Sequence, residues 1–163
     1  MFKLFFNVYF LFFCLGVNLQ KTYAAEYIDK GHYIIDLKNR VEWLKCSVGQ
    51  RWDEQKCIGD PVKISLEEAV YIKSQVGDEL GGIWRLPNKS ELLSIVCDKC
   101  ATEYSRAKIN NTIFPNTPAE IFWTSSRNWW SPKFFWSVNF ITGHAYGRFV
   151  PEKKLFVRFV RDR

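Results

Sequence analysis

Side chains suited to catalysis are scarce in this sequence. Only two histidines occur, His32 and His144, and they stand far apart in the chain. No Ser/His/Asp set can be assembled around either of them, so each is read as an ordinary surface or packing residue. No Gly-X-Y period, Gly/Ser-rich linker, Pro-rich stretch or internal repeat is present. That excludes a collagen-like stalk and a repeat array. Charge of one sign is also limited. The formal net charge is +6, too small a surplus to indicate nucleic acid, and it leaves anionic partners favoured over cationic ones. The expectation is a protein that is not an enzyme and carries no cofactor and no metal.

Long apolar runs are confined to the N-terminus. Met1 to Lys3 form a short basic start, and Leu4 to Leu19 are almost all apolar. Thr22 and Ala24 then place small residues at the minus-three and minus-one positions of a cleavage site. This reads as a secretory signal peptide over residues 1–24, cleaved after Ala24. The run falls short of the roughly 20 residues that a spanning helix needs, so no stable membrane span is expected after cleavage. Phe13 before Cys14 is too large for a lipoprotein signal. Residues 25–163 suffice for a single domain. Loss of Lys3 and Lys21 leaves 21 basic against 17 acidic residues, a charge of +4.

Four cysteines remain: Cys46, Cys57, Cys97 and Cys100. An even number in an exported chain suggests disulfides. Three pairings are open, and the two local ones, Cys46–Cys57 and Cys97–Cys100, are favoured. Two rivals exist. A zinc site is disfavoured by the long spacer inside the first pair. A redox pair at Cys97 and Cys100 is disfavoured because the pair falls at the C-terminal end of an expected helix, where the dipole does not stabilise thiolate.

Tyr33 to Leu37 and Val41 to Cys46 read as strands, and Ser47 to Pro61 as a loop closed by the first cysteine pair. Ser65 opens a helix with a capping box, and Leu66, Ala69, Val70 and Val76 are spaced for its buried face. After Gly81-Gly82 comes IWRLPNKSELLSIV, residues 83–96. Pro87 keeps Leu86 extended, Asn88 caps a second helix, and Glu91 reaches back to complete a capping box. That helix is expected to run to about Cys97. The last third reads as antiparallel sheet. Phe122 to Ser125 form one strand, and Phe134, Trp136, Val138 and Phe140 alternate in the next. Thr142-Gly143 makes a turn, and His144 to Val150 and Leu155 to Arg161 form a hairpin around Pro151 to Lys154. The order of elements implies an α+β domain.

Five pieces carry a resemblance: VEWLKCSVGQRWDEQKCIGDPVKISLEEAV, IWRLPNKSELLSIV, INNTIFPNTPAEIFWTSS, FWSVNFITGHA and VRFVRDR. In this order the chain resembles the Lcl C-terminal domain, found at the C-terminus of the Legionella collagen-like adhesin. The likeness runs from about Asp36 to Arg161. It implies a C-type-lectin-like fold, with two helices flanking a mostly antiparallel sheet whose terminal strands pair. In such a fold Trp84 becomes a core anchor and Arg85 a half-buried tie to carbonyls or a carboxylate. Calcium-dependent lectins use acidic triplets, whereas Phe114-Pro115-Asn116 and Arg127-Asn128-Trp129 offer no acidic ligands, so no calcium site is expected. Formylglycine-generating enzymes also carry Arg-Leu-Pro before a helix, but they use a cysteine pair late in the chain, where this sequence has none.

The resemblance implies an exported lectin-like binding module located in the periplasm, at the cell surface or outside the cell. The candidate ligand is an anionic or sulfated polysaccharide. Candidate binding residues are Lys133, Arg148, Lys153 and Lys154, with Trp129 or Trp130 stacking on sugar; a solvated surface of ordinary charge is the bland alternative. Two other roles stay open. One is a structural or interaction subunit of a bacterial envelope or pilus assembly, with an envelope protein as partner. The other is an enzyme, either a thiol oxidoreductase acting through Cys97 and Cys100 or a degenerate relative of the formylglycine-generating enzymes.

Overall fold

The computed structural model describes residues 26–163. The expected signal peptide lies outside the described residues. The architecture is α+β, with mostly antiparallel sheets and two helices. Strands β1 (Tyr27–Asp29), β2 (Tyr33–Asp36) and β3 (Val41–Leu44) form a meander. A small hairpin of β4 (Arg51–Trp52) and β5 (Cys57–Ile58) follows within the segment expected to be plain loop. Helices α1 (Leu66–Leu80) and α2 (Lys89–Ser94) come next. Strands β6 (Ile121–Arg127), β7 (Phe135–Asn139) and β8 (His144–Phe149) make a three-stranded antiparallel sheet. The last strand, β9 (Val160–Asp162), returns to the first sheet, whose order is β1-β2-β3-β9.

The terminal strands therefore share one sheet without pairing with each other. The partner of β9 is β3, through Val41 opposite Asp162 and Trp43 opposite Val160. β1 lies at the opposite edge, where Ile28 and Asp29 are exposed. Residues on both faces of β3 are sheltered, as suits a strand with neighbours on each side.

Leu155 to Arg161 do not form the expected hairpin with β8. Leu155 bridges Ile64, Phe156 bridges Phe122, and Val160 bridges Arg85. The reason is the apolar content of both faces. Phe156 and Val160 belong to one core cluster with Trp43, Phe114 and Phe122, while Leu155, Val157 and Phe159 belong to a second with Trp84 and Trp123. A segment apolar on both sides gains most by threading between two cores, and a sheet edge would leave half of it wet.

Both helices begin with full capping boxes, Ser65 with Glu68 and Asn88 with Glu91. In α1 the buried stripe starts at Leu66 and Ala69, but Val70 is 55% exposed. The inward positions continue through Ile72 and Val76, so the stripe follows a spacing that Val70 leaves. α2 stops at Ser94, short of Cys97, because the chain turns into a bridge between Val96 and Ile109. Cys97 then precedes a 3-10 turn at Asp98–Cys100. Both local disulfides are present, Cys46–Cys57 and Cys97–Cys100. In β7 a register shift between Phe135 and Ser137 interrupts strict alternation, and Ser137 and Val138 are both buried.

Trp84 and Arg85 tie the helical region to the C-terminus. Trp84 is 2% exposed, its Nε1–H donates to the Gly81 carbonyl, and the Arg161 guanidinium lies 4.6 Å from its ring centroid. Arg85 is half-buried and donates to both carboxylate oxygens of Glu91 at 2.9 Å. It also donates to Asp162 on β9. Its backbone exchanges hydrogen bonds with Val160 in both directions, at 2.8 and 2.9 Å. Glu91 thus serves two partners, since it also accepts from the Asn88 backbone N–H.

Arg158 is a wholly buried cation. Its guanidinium donates to the carbonyls of Leu44 and Lys45 and to the hydroxyls of Ser47 and Thr117. No carboxylate pairs with it among the described residues. Burial pushes its guanidinium down to about 9.

Candidate functional site

β6 ends at Arg127, and the chain returns to β7 through the loop at residues 128–134. Asn128 organises this loop. Its Oδ1 accepts from the Trp130 backbone N–H at 3.0 Å, and its Nδ2 donates to the Gly147 carbonyl of β8 at 2.8 Å. Its own N–H donates to the Phe134 carbonyl at 2.8 Å, closing the loop at its base. The Arg127 guanidinium adds a hydrogen bond to the Pro132 carbonyl.

Held this way, Trp129 and Trp130 project outward with 70% and 75% exposure. Their rings stack with centroids 3.6 Å apart. Two adjacent tryptophans left this wet forgo burial energy that large aromatics normally supply.

Beside them lies a shallow cleft of about 530 Å³, lined by Trp130, Trp136, Tyr146, Arg148, Asn128 and the backbone near Gly147. The Trp136 indole packs flat on Gly147, where even a Cβ would come within 2.9 Å of the ring. Only glycine admits that approach. On α2, the Lys89 ammonium sits 4.2 Å from the Trp136 ring centroid. Arg148 is exposed and makes no ion pair among the described residues. The lining of the cleft contains no carboxylate. Flat aromatic faces with a cation at the rim suit a ligand that combines apolar planar faces and negative charge.

Of the six residues expected to bind, Trp130 and Arg148 meet at this cleft, and Trp129 stacks on its wall. Lys133 lies in the same loop, its ammonium 5.0 Å from the Phe134 ring centroid, without lining the cleft. Lys153 and Lys154 are exposed in the turn after Pro151. Lys154 pairs with Glu68 at the start of α1, 3.3 Å away, and lines a different depression with Glu67, Glu68 and Glu152. Acidic neighbours reduce what that turn offers an anion. Sequence reading missed Asn128, Trp136, Tyr146 and Lys89. A glycine inside the β8 strand pattern, at Gly147, was the available sign of a close approach.

His144 is exposed, and His32 is half-buried on a different part of the surface. Among the described residues no group of three His, Cys, Asp or Glu is placed to hold a metal ion. No described helix is long and apolar enough to cross a membrane.

Residues 32–161 match the family model of the Lcl C-terminal domain. The match takes in both disulfides, both helices and the tryptophan cleft, and the chain belongs to that family. No curated protein and no solved structure matches the chain.

Proposed function

We propose that this protein is an exported, adhesin-like binding module with a C-type-lectin-like organisation, acting by recognition and without catalysing a reaction. Membership of the Lcl C-terminal domain family carries this reading. Two disulfides fit an oxidising compartment, in keeping with the signal peptide read at residues 1–24. The proposed ligand is an anionic, sulfated polysaccharide. Trp129 and Trp130 would offer stacking faces and Arg148 a counter-charge, with Lys133 at the margin of the loop.

The test measures binding to heparin and fucoidan at low and physiological salt. Four proteins are compared: wild type, Trp130→Ala, Arg148→Glu and the double variant Lys153→Glu/Lys154→Glu. The cleft variants should weaken binding about tenfold or more, the order of effect for an interface anchor. Wild-type binding should weaken with salt, since exposed charges are screened over about 8 Å at physiological ionic strength. The turn variant should bind nearly as wild type does. No binding of either polysaccharide by wild type would refute the glycan reading. Capture of an envelope protein through the same tryptophans would then support the interaction-subunit role.

A further inference from the structure

Acidic residues are missing from one whole stretch of the chain. From Ile121 to Pro151 the sequence holds no Asp or Glu, while Arg127, Lys133 and Arg148 stand in it. Strands β6, β7 and β8 and the loop at residues 128–134 all fall inside that stretch. The fold then gathers these charges at one end. Antiparallel pairing sets Arg127, Phe135 and Phe149 in one row, so Arg127, Arg148 and the loop share the same end of the sheet. Helix α2 adds Lys89, whose ammonium lies over the Trp136 ring. None of these four cations makes an ion pair among the described residues.

The same end is apolar at its most exposed points. Trp129 and Trp130 crown the loop, with Pro132 and Lys133 exposed beside them. Val150, directly after β8, is exposed as well. The hydrogen bonds of Asn128 and Arg127 fix the loop backbone, so both indoles are presented on a tied-down tip. Indoles left in water are favoured at a membrane interface, where the ring meets the upper acyl chains and the N–H meets the headgroups. Lysines and arginines around them gain from anionic lipid. No described helix is long and apolar enough to cross a membrane, so the contact would be peripheral.

We propose that this end of the β6–β7–β8 sheet docks on an anionic phospholipid bilayer. Trp129 and Trp130 enter the headgroup layer, and Arg127, Lys133, Arg148 and Lys89 face the lipid phosphates. Charge complementarity carries the assignment. Four unpaired cations with no carboxylate in the sheet match a surface of fixed negative charge, and a bilayer supplies an apolar layer directly beneath that charge. The assignment does not rest on the polysaccharide reading. Heparin and fucoidan binding is measured without lipid, so either reading can fail alone.

Co-sedimentation with vesicles of equal parts phosphatidylglycerol and phosphatidylcholine tests it, with pure phosphatidylcholine as the uncharged control. Wild type should bind the anionic vesicles at least tenfold more tightly, and that binding should weaken from low to physiological salt. Phosphatidylcholine brominated high on its acyl chains should quench the tryptophan emission of the bound protein. The double variant Trp129→Ser/Trp130→Ser, at two exposed positions, should lose at least tenfold in affinity and most of the quenching. Lys133→Gln should weaken binding about fivefold, the share of one basic residue near an anionic surface. Lys56→Gln, in the β4–β5 turn, should bind as wild type does. Equal binding to the two vesicle types, bound protein with unquenched tryptophans, full affinity in the tryptophan variant, or a Lys133→Gln no weaker than Lys56→Gln would each overturn the proposal. Heparin binding without vesicle binding would overturn it too, and would assign the surface to soluble polyanions.

Discussion

Arg158 offers the sharpest test of how the two cores are held together. Replacing it with Met removes donors from the Leu44 and Lys45 carbonyls. Thr117 loses less, because its hydroxyl still donates to the Phe114 carbonyl at 2.8 Å. Hydrogen bonds to a charged group are worth about 1.5–3 kcal/mol each, so two lost bonds cost about 3–6 kcal/mol. Against this, Met no longer buries a cation without a counter-ion, a relief of several kcal/mol. The net expectation for Arg158→Met is a destabilisation of about 1–3 kcal/mol. Arg158→Lys should be worse. A single ammonium cannot reach acceptors on both the 44–47 stretch and Thr117 as the guanidinium fork does. Lysine also keeps the buried charge unless it sheds its proton, which from an ordinary pKa of about 10.4 costs about 4–5 kcal/mol at pH 7.

That difference gives Arg158→Lys a pH signature. A lysine with a depressed folded pKa binds fewer protons folded than unfolded, so its stability rises with pH up to about 10.4. Between pH 7 and pH 8.5 the gain should reach about 2 kcal/mol. Wild type, whose Arg158 is pushed down only to about 9, should stay nearly flat over the same interval. Urea denaturation of the three proteins at the two pH values reads all of this. A Lys variant as stable as the Met variant at pH 7, or one without pH dependence, would refute the account of Arg158 as a fork holding an uncompensated charge.

Trp84→Ala should destabilise by about 3–5 kcal/mol, the usual cost of a large core deletion. A Trp84→Ala protein as stable as wild type in urea would contradict its role as an anchor. The Cys46–Cys57 bridge closes a short loop, and its loss in Cys46→Ser should cost about 2–3 kcal/mol and visibly lower the melting temperature. Four free thiols in the native protein by mass spectrometry would remove the basis for that expectation. Burial raises the Glu91 carboxyl, but hydrogen bonds from Arg85 and the Asn88 backbone outweigh it and leave the group below its usual range. The hydrogen bond from Arg85 lowers Asp162 as well. Depressed carboxylates stabilise the fold above their unfolded pKa of about 4 and lose that contribution as pH falls through the folded value. The melting temperature should therefore drop below about pH 4, and Arg85→Met should flatten the drop; an unchanged acid profile in that variant would count against the triad.

Local signals carried much of this protein's structure. Ser65 with Glu68 and Asn88 with Glu91 announce both helix starts, because a capping box is satisfied within four consecutive residues. The short separations within each cysteine pair made local bridges the favoured pairing, whereas the roles of Trp84 as anchor and Arg85 as tie came from the family resemblance and not from local signals. The destinations of long-range segments were not legible. Leu155 to Arg161 showed an apolar content that fits a hairpin strand or a central core strand equally well, and only packing against two clusters chose the second. The full burial of Arg158 was not legible, since nothing near it in sequence announces acceptors at Leu44, Lys45, Ser47 and Thr117. The same holds for the candidate sites. Trp129 and Trp130 stood out as residue types, but which cations would join them depended on where β8 and the following turn were placed. The fold brought Arg148 to the tryptophans and Lys154 to Glu68. Capping and turn chemistry act over a few residues and are written in the sequence, whereas the company a side chain keeps is set by which distant surfaces the core draws together.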